Sequence, residues 1–267
     1  MRIFAVSLFF VLFHYCLWAQ TDSTQVSSVE EMNKERQNPV SGLRSVYLQD
    51  IIMPVGEGTA NLTSIQPVYP FKITDKVRLV TYTIIPIQFV PPLAAGGDHT
   101  SGLGNILLNG YFSPVKKEGQ ALTWGFGPAV QLPTRTDPLL GSNRVSLGPS
   151  ALLFYSFEKI TIGGVIQNFW SLGGDEANKV NWFSFQYTAT YNLEKAWFLL
   201  SNATIQSNWL AAPGEEWIVP VAGGAGKTFQ IGSKGLYYCA TAQLAYNAVK
   251  PDIIGDWQGI LQFQIIF

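Results

Sequence analysis

Residues 257–267 read W-Q-G-I-L-Q-F-Q-I-I-F and decide the fold of the chain. Every second residue of this stretch, from the first to the last, is apolar or glycine, while the positions between them include Gln258, Gln262 and Gln264. Because successive side chains of a strand point to opposite faces, the pattern predicts a strand with one apolar face and one largely polar face. Its length suits a transmembrane strand, which needs about 9–11 residues. A half-buried strand of a soluble β-sandwich fits equally well, so the rest of the chain must decide.

The composition favours a membrane protein. Of the 267 residues, 47% are hydrophobic and only 13% are charged, whereas soluble domains carry about a quarter charged residues. Beyond the first 19 residues no apolar run is long enough for a membrane-spanning helix, which leaves strands to explain the missing charge. The net charge of -1 argues against a nucleic-acid partner, which would require a basic surface.

Residues 1–19 have the features of a secretory signal peptide. Arg2 supplies a positive start, residues 3–13 are apolar, and Leu17-Trp18-Ala19 precedes a cleavage site at Gln20. Cys16 would leave with this peptide. The mature chain would then keep Cys239 alone, an inert thiol facing the lumen, and could form no internal disulfide.

Residues 20–41 are polar and show no apolar period, which predicts a flexible periplasmic arm or a plug of the barrel. Ser28 and Glu31 have the spacing of a capping box, in which each side chain bonds the backbone of the other residue. The sequence therefore predicts one short helix through Arg36.

From residue 42 onward, segments rich in β-branched and aromatic residues alternate with turn residues. Longer connections alternate with mostly shorter ones, as extracellular loops and periplasmic turns do, and an even strand number closes a single-chain bacterial barrel. Residues 42–267 are therefore predicted to be all-β, a transmembrane antiparallel up-and-down β-barrel in the outer membrane of a Gram-negative bacterium. Its twelve predicted strands are 43–52, 60–70, 77–90, 105–114, 121–132, 145–156, 160–171, 180–191, 196–209, 217–229, 236–248 and 257–267.

Charge placement supports a lipid-facing barrel. Between residues 121 and 267 the only charged residue inside a predicted strand is Lys227. A water-facing sheet would carry Lys and Glu on its outer face, whereas a charge facing lipid costs roughly 2–4 kcal/mol at the bilayer midplane. The exclusion of charge therefore indicates lipid rather than water outside the barrel.

Tryptophans and polar side chains divide between two predicted surfaces. Tryptophans near the extracellular ends of strands predict an aromatic girdle at the membrane boundary, formed by Trp170, Trp182, Trp209, Trp217 and Trp257. Polar residues at alternate strand positions predict a polar, mostly uncharged lumen, lined by Ser184, Gln186, Thr188, Asn202, Thr204, Gln206, Thr241, Gln243, Gln258, Gln262 and Gln264.

Four prolines do not fit a regular barrel wall. Pro86, Pro128, Pro149 and Pro220 lie inside predicted strands, where proline cannot donate to a ladder. We therefore expect bulges or broken pairing around them. Such breaks would open a lateral path from the lumen to the bilayer, which suits an apolar solute.

A lipid hydrolase is the alternative enzymatic interpretation. His99 lies two residues before Ser101, and Asn105 follows on the same predicted loop and strand. A serine nucleophile needs a histidine within hydrogen-bond reach and a further group that orients the histidine ring. The grouping is weak, because an exposed histidine near an acid is usually an ordinary surface residue.

Residues 131–155 read Q-L-P-T-R-T-D-P-L-L-G-S-N-R-V-S-L-G-P-S-A-L-L-F-Y. This stretch resembles the signature of the MetA-pathway of phenol degradation family of outer-membrane proteins, in which a strand ends in Pro-Thr, a loop carries Leu-Gly-Ser and the next strand opens with Leu-Gly-Pro. Residues 100–105, 124–128, 220–227 and 256–257 resemble it too. The resemblance implies a barrel that transports small organic compounds, including hydrophobic ones. Asn105 departs from the aspartate more common there, which weakens the idea of a metal or proton site.

The carboxy terminus also resembles the assembly signal of bacterial outer-membrane barrels, through Phe263, Ile265 and Phe267. The expected partners are outer-membrane lipids, the barrel assembly machinery and a small-molecule solute. The predicted function is a passive channel for small neutral or hydrophobic organic compounds, with no catalytic residues, no cofactor and no metal. The lipid hydrolase and a non-conducting structural barrel remain alternatives.

Overall fold

The computed structural model describes residues 28–93, 97–116, 119–173, 179–232 and 235–267. The signal peptide predicted for residues 1–19 and the first part of the arm lie outside the described residues. No helix in the described ranges is long and apolar enough to cross a membrane. The elements are helix α1 (Val29–Glu35), strands β1 (Ser45–Val55), β2 (Gly58–Lys72), β3 (Val77–Val90), β4 (Thr100–Leu103), β5 (Leu107–Pro114), β6 (Leu122–Gln131), β7 (Ser146–Ser156), β8 (Ile160–Ser171), β9 (Asn181–Asn192), β10 (Trp197–Asn208), β11 (Trp217–Gln230), β12 (Tyr237–Val249) and β13 (Trp257–Ile266), and 3-10 helices at Pro138–Leu140 and Glu194–Ala196.

The strands close into one barrel. Each strand pairs antiparallel with its neighbours, and β1 pairs with both β2 and β13, from Ser45 opposite Ile266 to Ile52 opposite Gly259. Strands β4 and β5 both pair with β3, one with each half of it, and so act as a single interrupted strand. The wall therefore has twelve strands, as predicted. The fourth predicted strand, 105–114, corresponds to β5, whereas β4 lies in the stretch before it that was predicted to be a loop.

The barrel has an apolar outer surface and a more polar inner one. On β13, Trp257 and Leu261 are 52% and 49% exposed, whereas Gln258 and Gln264, at positions of the opposite parity, are buried. Residues that are paired across two strands have their side chains on the same face of the sheet. The alternation of exposed apolar and buried polar side chains therefore continues around the wall. Backbone groups inside hydrocarbon must be paired within the protein, which a closed barrel achieves. The exposed apolar belt is therefore the surface that a lipid-facing barrel presents.

Asp50 is a carboxylate on the outer face that the sequence analysis missed. Its register partners are Leu261 and Thr63, and its neighbours of the same parity, Leu48 and Ile52, are exposed. The carboxylate accepts hydrogen bonds from Asn61 Nδ2 at 3.1 Å and Thr63 Oγ1 at 2.9 Å. These donors replace water, so the cost of placing a carboxylate in the belt is partly offset.

The loop that carries the family signature is folded around Arg135. Its Nη1 donates to the carbonyl oxygens of Pro138 at 2.8 Å and Gly141 at 2.6 Å. Asp137 Oδ1 accepts from the Leu139 amide at 2.9 Å and caps the 3-10 helix. The Thr-Arg-Thr-Asp run of the signature therefore has a structural role, fixing the shape of the loop between β6 and β7.

A lysine should be tolerated on the inner face of β13 and not on the outer face. We expect Leu261→Lys to lower the free energy of unfolding by roughly 2–4 kcal/mol, because its charge meets hydrocarbon, and Gln262→Lys to lower it much less. Denaturant titration of both variants in lipid vesicles measures the difference. Equal losses would contradict the assignment of the two faces.

Candidate functional site

The arm occupies one end of the barrel lumen. This is the end at which β1 begins and β13 ends, and we call it the terminal end. Helix α1 is closed by the predicted capping box, with Ser28 Oγ accepting from the Glu31 amide at 3.2 Å and Glu31 Oε2 accepting from the Ser28 amide at 2.9 Å. Met32 of the helix is buried against Tyr237 and Ile266 of the wall. The short helix thus gains the packing that it would lack alone.

Buried amides fix α1 to the wall. Asn33, 2% exposed, donates through Nδ2 to Asn192 Oδ1 at 2.9 Å and accepts through Oδ1 from Thr228 Oγ1 at 2.7 Å. Gln37 Nε2 also donates to Asn192 Oδ1, at 2.7 Å. Strands β9 and β11 therefore hold the same turn of the arm from two sides.

Arg36 completes this contact with a charge. Its Nε donates to Thr228 Oγ1 at 2.9 Å, and its Nε and Nη2 each lie 3.2 Å from Asn33 Oδ1. The guanidinium stands over the Phe198 ring, 4.4 Å from the centroid, an attractive cation–π arrangement. The positive charge of Arg36 is therefore stabilised by neutral hydrogen-bond acceptors and an aromatic ring.

Val40 anchors the end of the arm in an apolar cluster. It is 3% exposed and packs with Val68, Val80, Tyr111 and neighbouring side chains of the inner wall. The Arg78 guanidinium donates to the Val40 carbonyl oxygen at 3.2 Å. Polar contacts at α1 and apolar contacts at Val40 therefore fix the arm at two separate points.

A cavity of about 890 Å³ remains beside the arm. The arm contributes Lys34, Glu35 and Asn38 to its lining, and the wall contributes Arg78 and Thr161 among others. The arm thus narrows the terminal end of the lumen and leaves charged and polar space next to it.

The predicted lumen residues lie on strands β9, β10, β12 and β13. Ser184, Gln186 and Thr188 are opposite Gln206, Thr204 and Asn202, and Thr241 is opposite Gln262. Among them, Asn202 accepts from Gln186 Nε2 at 3.1 Å and donates to Thr188 Oγ1 at 3.0 Å. The remaining members alternate with exposed apolar residues on β12 and β13, namely Gln243, Gln258 and Gln264.

The other side of the lumen is aromatic, which the sequence analysis missed. Tyr47 and Tyr82 have ring centroids 6.3 Å apart and pack against a buried cluster that includes Tyr111 and Phe154. Their hydroxyls are bonded, Tyr82 to Gln66 Oε1 and Tyr111 to Ser150 Oγ. The lining therefore includes an aromatic side besides the Gln, Asn, Ser and Thr side chains that the sequence predicted. Period-two alternation in β3 and β5 could have placed these tyrosines on the inner face.

Four of the five predicted girdle tryptophans are at least partly exposed at the end opposite the arm, which we call the loop end. Trp209 and Trp217 pack edge to face, with centroids 5.3 Å apart, and Trp257 and Trp170 are about half exposed. Trp182 is the exception. It shares its face with Ser184 and packs with Leu107, Ala129 and Phe169, so it fills the lumen side of the wall instead of facing lipid.

Charged side chains concentrate at the two ends of the barrel. In the turn between β2 and β3, Lys72 Nζ lies 2.6 Å from Asp75 Oδ1, and this contact holds the pKa of the Asp75 carboxyl below its ordinary value. At the loop end, Lys250 Nζ lies 3.4 Å from Asp256 Oδ1. No three metal-binding side chains converge within the described ranges.

The ladder between β10 and β11 is interrupted, and we call this interruption the seam. Leu200 pairs with Gly224 and Gln206 pairs with Ile218, but residues 201–205 and 219–223 between them are unpaired. The pairing keeps the same register on both sides of the seam. Pro220 lies within it and also marks a bulge in the β11–β12 ladder, because proline has no amide hydrogen to donate.

Side chains form hydrogen bonds with the backbone groups of the seam. Tyr187 donates from its hydroxyl to the Pro220 carbonyl oxygen at 3.1 Å and accepts from the Ala222 amide at 2.9 Å. Ser201 Oγ donates to the Ala222 carbonyl oxygen at 2.6 Å, and the Asn202 amide donates to Gln243 Oε1 at 2.8 Å. These groups are paired although the ladder is not.

Pairing is also irregular at the other three prolines, as predicted, but there the backbones stay close. The β5–β6 ladder skips the position of Pro128 and the β7–β8 ladder that of Pro149, yet a Cβ on Gly127 or Gly148 would strike the backbone of the opposite strand. At the break between β4 and β5, the Gly104 amide donates to the Pro86 carbonyl oxygen at 2.9 Å. Only Pro220 accompanies a gap that side chains bridge.

The residues considered for lipid hydrolysis have other contacts. The His99 ring stacks on Phe89, with centroids 5.2 Å apart, and Ser101 pairs with Phe89 in the β3–β4 ladder. Asn105 donates to the Ser142 carbonyl oxygen at 2.9 Å and accepts from the Arg135 amide at 3.3 Å. Asn105 therefore orients the signature loop, and within the described ranges no hydrogen bond joins it to His99.

Loss of the Asn33 amide should loosen the arm. We expect Asn33→Ala to speed hydrogen exchange at the Met32 and Arg36 amides by roughly 5- to 100-fold, because Asn192 and Thr228 lose a buried partner at a cost of about 1–3 kcal/mol. The matched control is Glu35→Ala, which changes an exposed residue of the same helix. Unchanged exchange in Asn33→Ala would show that these contacts do not hold the arm.

Known structures share this architecture. An outer membrane channel from Pseudomonas putida F1 superposes with a TM-score of 0.64 at 17% identity, covering 84% of this chain and 94% of that chain. The NanC porin gives a TM-score of 0.50 at 10% identity, covering 84% and 98%. At these identities the likeness concerns the fold alone.

No curated protein matches the amino-acid sequence of this chain. The model of the MetA-pathway of phenol degradation family matches residues 49–238, from β1 to β12. This is the family that the signature loop indicated, and the matched part makes up most of the barrel wall. The chain therefore belongs to the MetA-pathway of phenol degradation family.

Proposed function

We propose that this protein is an outer-membrane channel through which small neutral or hydrophobic organic compounds diffuse passively. The supporting observation is the lumen with the arm inside it, held by reversible contacts and flanked by a cavity of about 890 Å³. The channel named in the structural comparison has the same fold and supports the same type of function. The mixed lining, amides on one side and tyrosines on the other, suits compounds that are apolar with few polar groups.

The cellular route follows from the same proposal. Residues 1–19 direct export, and the carboxy-terminal strand with Phe263, Ile265 and Phe267 is recognised by the barrel assembly machinery. The protein then resides in the outer membrane of a Gram-negative bacterium, with the terminal end towards the periplasm. Residues 20–41 act as a plug of that end. We propose no enzymatic role, since Asn105 serves the signature loop.

Removal of the plug should open the lumen to ions. We expect the refolded mature protein to conduct weakly in planar bilayers, and the same protein without residues 20–41 to conduct several times better, because the Val40 and Asn33 contacts no longer narrow the terminal end. Single-channel conductance measures both forms, and Glu35→Ala serves as a control with the plug in place. Silence from both forms, with folding verified, would contradict an aqueous lumen and favour the structural barrel.

A further inference from the structure

We propose that the seam between β10 and β11 is a lateral port for small apolar compounds that carry a hydroxyl group, and that Tyr187 is its latch. This inference rests on the proposed function and names the site and chemical class of the solute. It concerns one place in the wall, where positions 201–205 of β10 and 219–223 of β11 are not paired with each other.

The seam can open without a change of register. Leu200 opposite Gly224 and Gln206 opposite Ile218 show that both strands continue in register beyond it. Opening therefore separates only side-chain contacts and leaves both flanking ladders paired. Pro220 prevents a complete ladder from forming there, because its nitrogen has no hydrogen.

Two latching side chains reach the seam from opposite faces, each by crossing one strand. Tyr187 of β9 crosses β10 at Ala203, its register partner, which is 4% exposed beneath it. Gln243 of β12 crosses β11 at Gly224, where an added Cβ would lie 2.7 Å from Gln243 Cγ. The small residues Ala203 and Gly224 leave room for the crossing side chains of Tyr187 and Gln243. The arrangement therefore depends on all four positions together.

The chemistry of the latch indicates the chemistry of the solute. The Tyr187 hydroxyl donates to the Pro220 carbonyl oxygen and accepts from the Ala222 amide. An incoming hydroxyl can do both and replace it, whereas a pure hydrocarbon would leave both backbone groups unpaired in apolar surroundings. The site is therefore complementary to an alcohol or a phenol.

Apolar surfaces lead to the seam from both sides. On the outer face, a groove of about 330 Å³ is lined by Tyr191, Leu199, Ser201 and neighbouring residues, and Ser201 also bonds across the seam. On the inner face, Ala222, Ala245 and Ile260 belong to a buried apolar cluster, which Ala203 joins from beneath Tyr187. A solute of the proposed class would thus meet apolar surface before and after the two polar backbone groups.

The test closes the seam covalently. Continued register places residue 203 opposite residue 221, so Ala203→Cys with Val221→Cys should lock the seam with a disulfide. The control pair, Leu199→Cys with Ala225→Cys, lies opposite in the intact ladder. All full-length variants carry Cys239→Ser, and folding is verified by heat-modifiable migration on gels. Initial uptake of radiolabelled p-cresol is measured in intact Gram-negative cells, together with conductance in planar bilayers.

We expect oxidation of the seam pair to abolish the protein-dependent uptake of p-cresol and a reductant to restore it, with no effect of the control disulfide. Uptake that survives a formed seam disulfide would overturn the lateral port and leave an axial channel, which the proposed function allows. Absence of protein-dependent uptake in the parent protein would contradict the proposed function itself.

A second variant tests the latch. Tyr187→Phe keeps the ring and removes the hydroxyl, so p-cresol no longer competes for the Ala222 amide. We expect its uptake to rise roughly fivefold, the change that one net hydrogen bond makes, and uptake of toluene, which lacks the hydroxyl, to rise less. An equal rise for both compounds, or none for p-cresol, would overturn recognition of the hydroxyl.

Discussion

The structure depends on the need to pair every backbone amide and carbonyl inside hydrocarbon, where no water can replace a missing partner. The ladders between neighbouring strands pair most of them, and closure of β1 onto β13 pairs the two edges that an open sheet would leave free. The same requirement makes the seam chemically meaningful, because its backbone groups are paired by Tyr187, Ser201 and Gln243 instead of by the opposite strand. A regular wall needs no such side chains. Where such side chains occur, their rearrangement is sufficient to expose the backbone polar groups that they bond. The wall then has a site that can bind a ligand.

The contacts of the arm follow the same logic at the terminal end. Asn33, Gln37 and Arg36 meet Asn192, Thr228 and the Phe198 ring through hydrogen bonds and a cation–π contact. A neutral hydrogen bond contributes only about 0.5–1.5 kcal/mol net, and one from a charged donor such as Arg36 about 1.5–3 kcal/mol. A plug held in this way is specific in position and moderate in strength. A channel must admit a solute at one step and release it at another, which requires a plug that is specific in position and moderate in strength. Between these two steps, the aromatic side of the lumen gives an apolar solute a surface to contact.

Local patterns in the sequence sufficed for the barrel and for most of its strands, although they missed β4. Alternation in residues 257–267 gave the faces of β13, and the predicted strands 77–90 and 160–171 coincide with β3 and β8. The Ser28 and Glu31 spacing gave the cap of α1, since both partners are three residues apart. Proline marked where pairing is irregular, because the missing amide hydrogen is a property of the residue itself.

Contacts between distant residues were beyond such patterns. The seam occurs at Pro220 because of Tyr187, which belongs to a strand two positions away in the sheet. The partners of Asn33 lie more than 150 residues further along the chain. Trp182 was misplaced because its position near a strand end suggested a girdle, while its parity with Ser184 put it on the inner face. Asp50 was overlooked because Asn61 and Thr63, which bond its carboxylate, come from the neighbouring strand.

Hydrogen exchange of the protein in lipid nanodiscs tests most directly whether the seam is a built-in interruption of the wall. The amides of residues 202, 204 and 222, which face the interruption, should exchange far faster than those of residues 198, 200, 224 and 226, which face the same ladder in its paired flanks. Uniformly slow exchange along β10 and β11 would mean that the ladder is continuous in the membrane, and would contradict a wall that can open at this place.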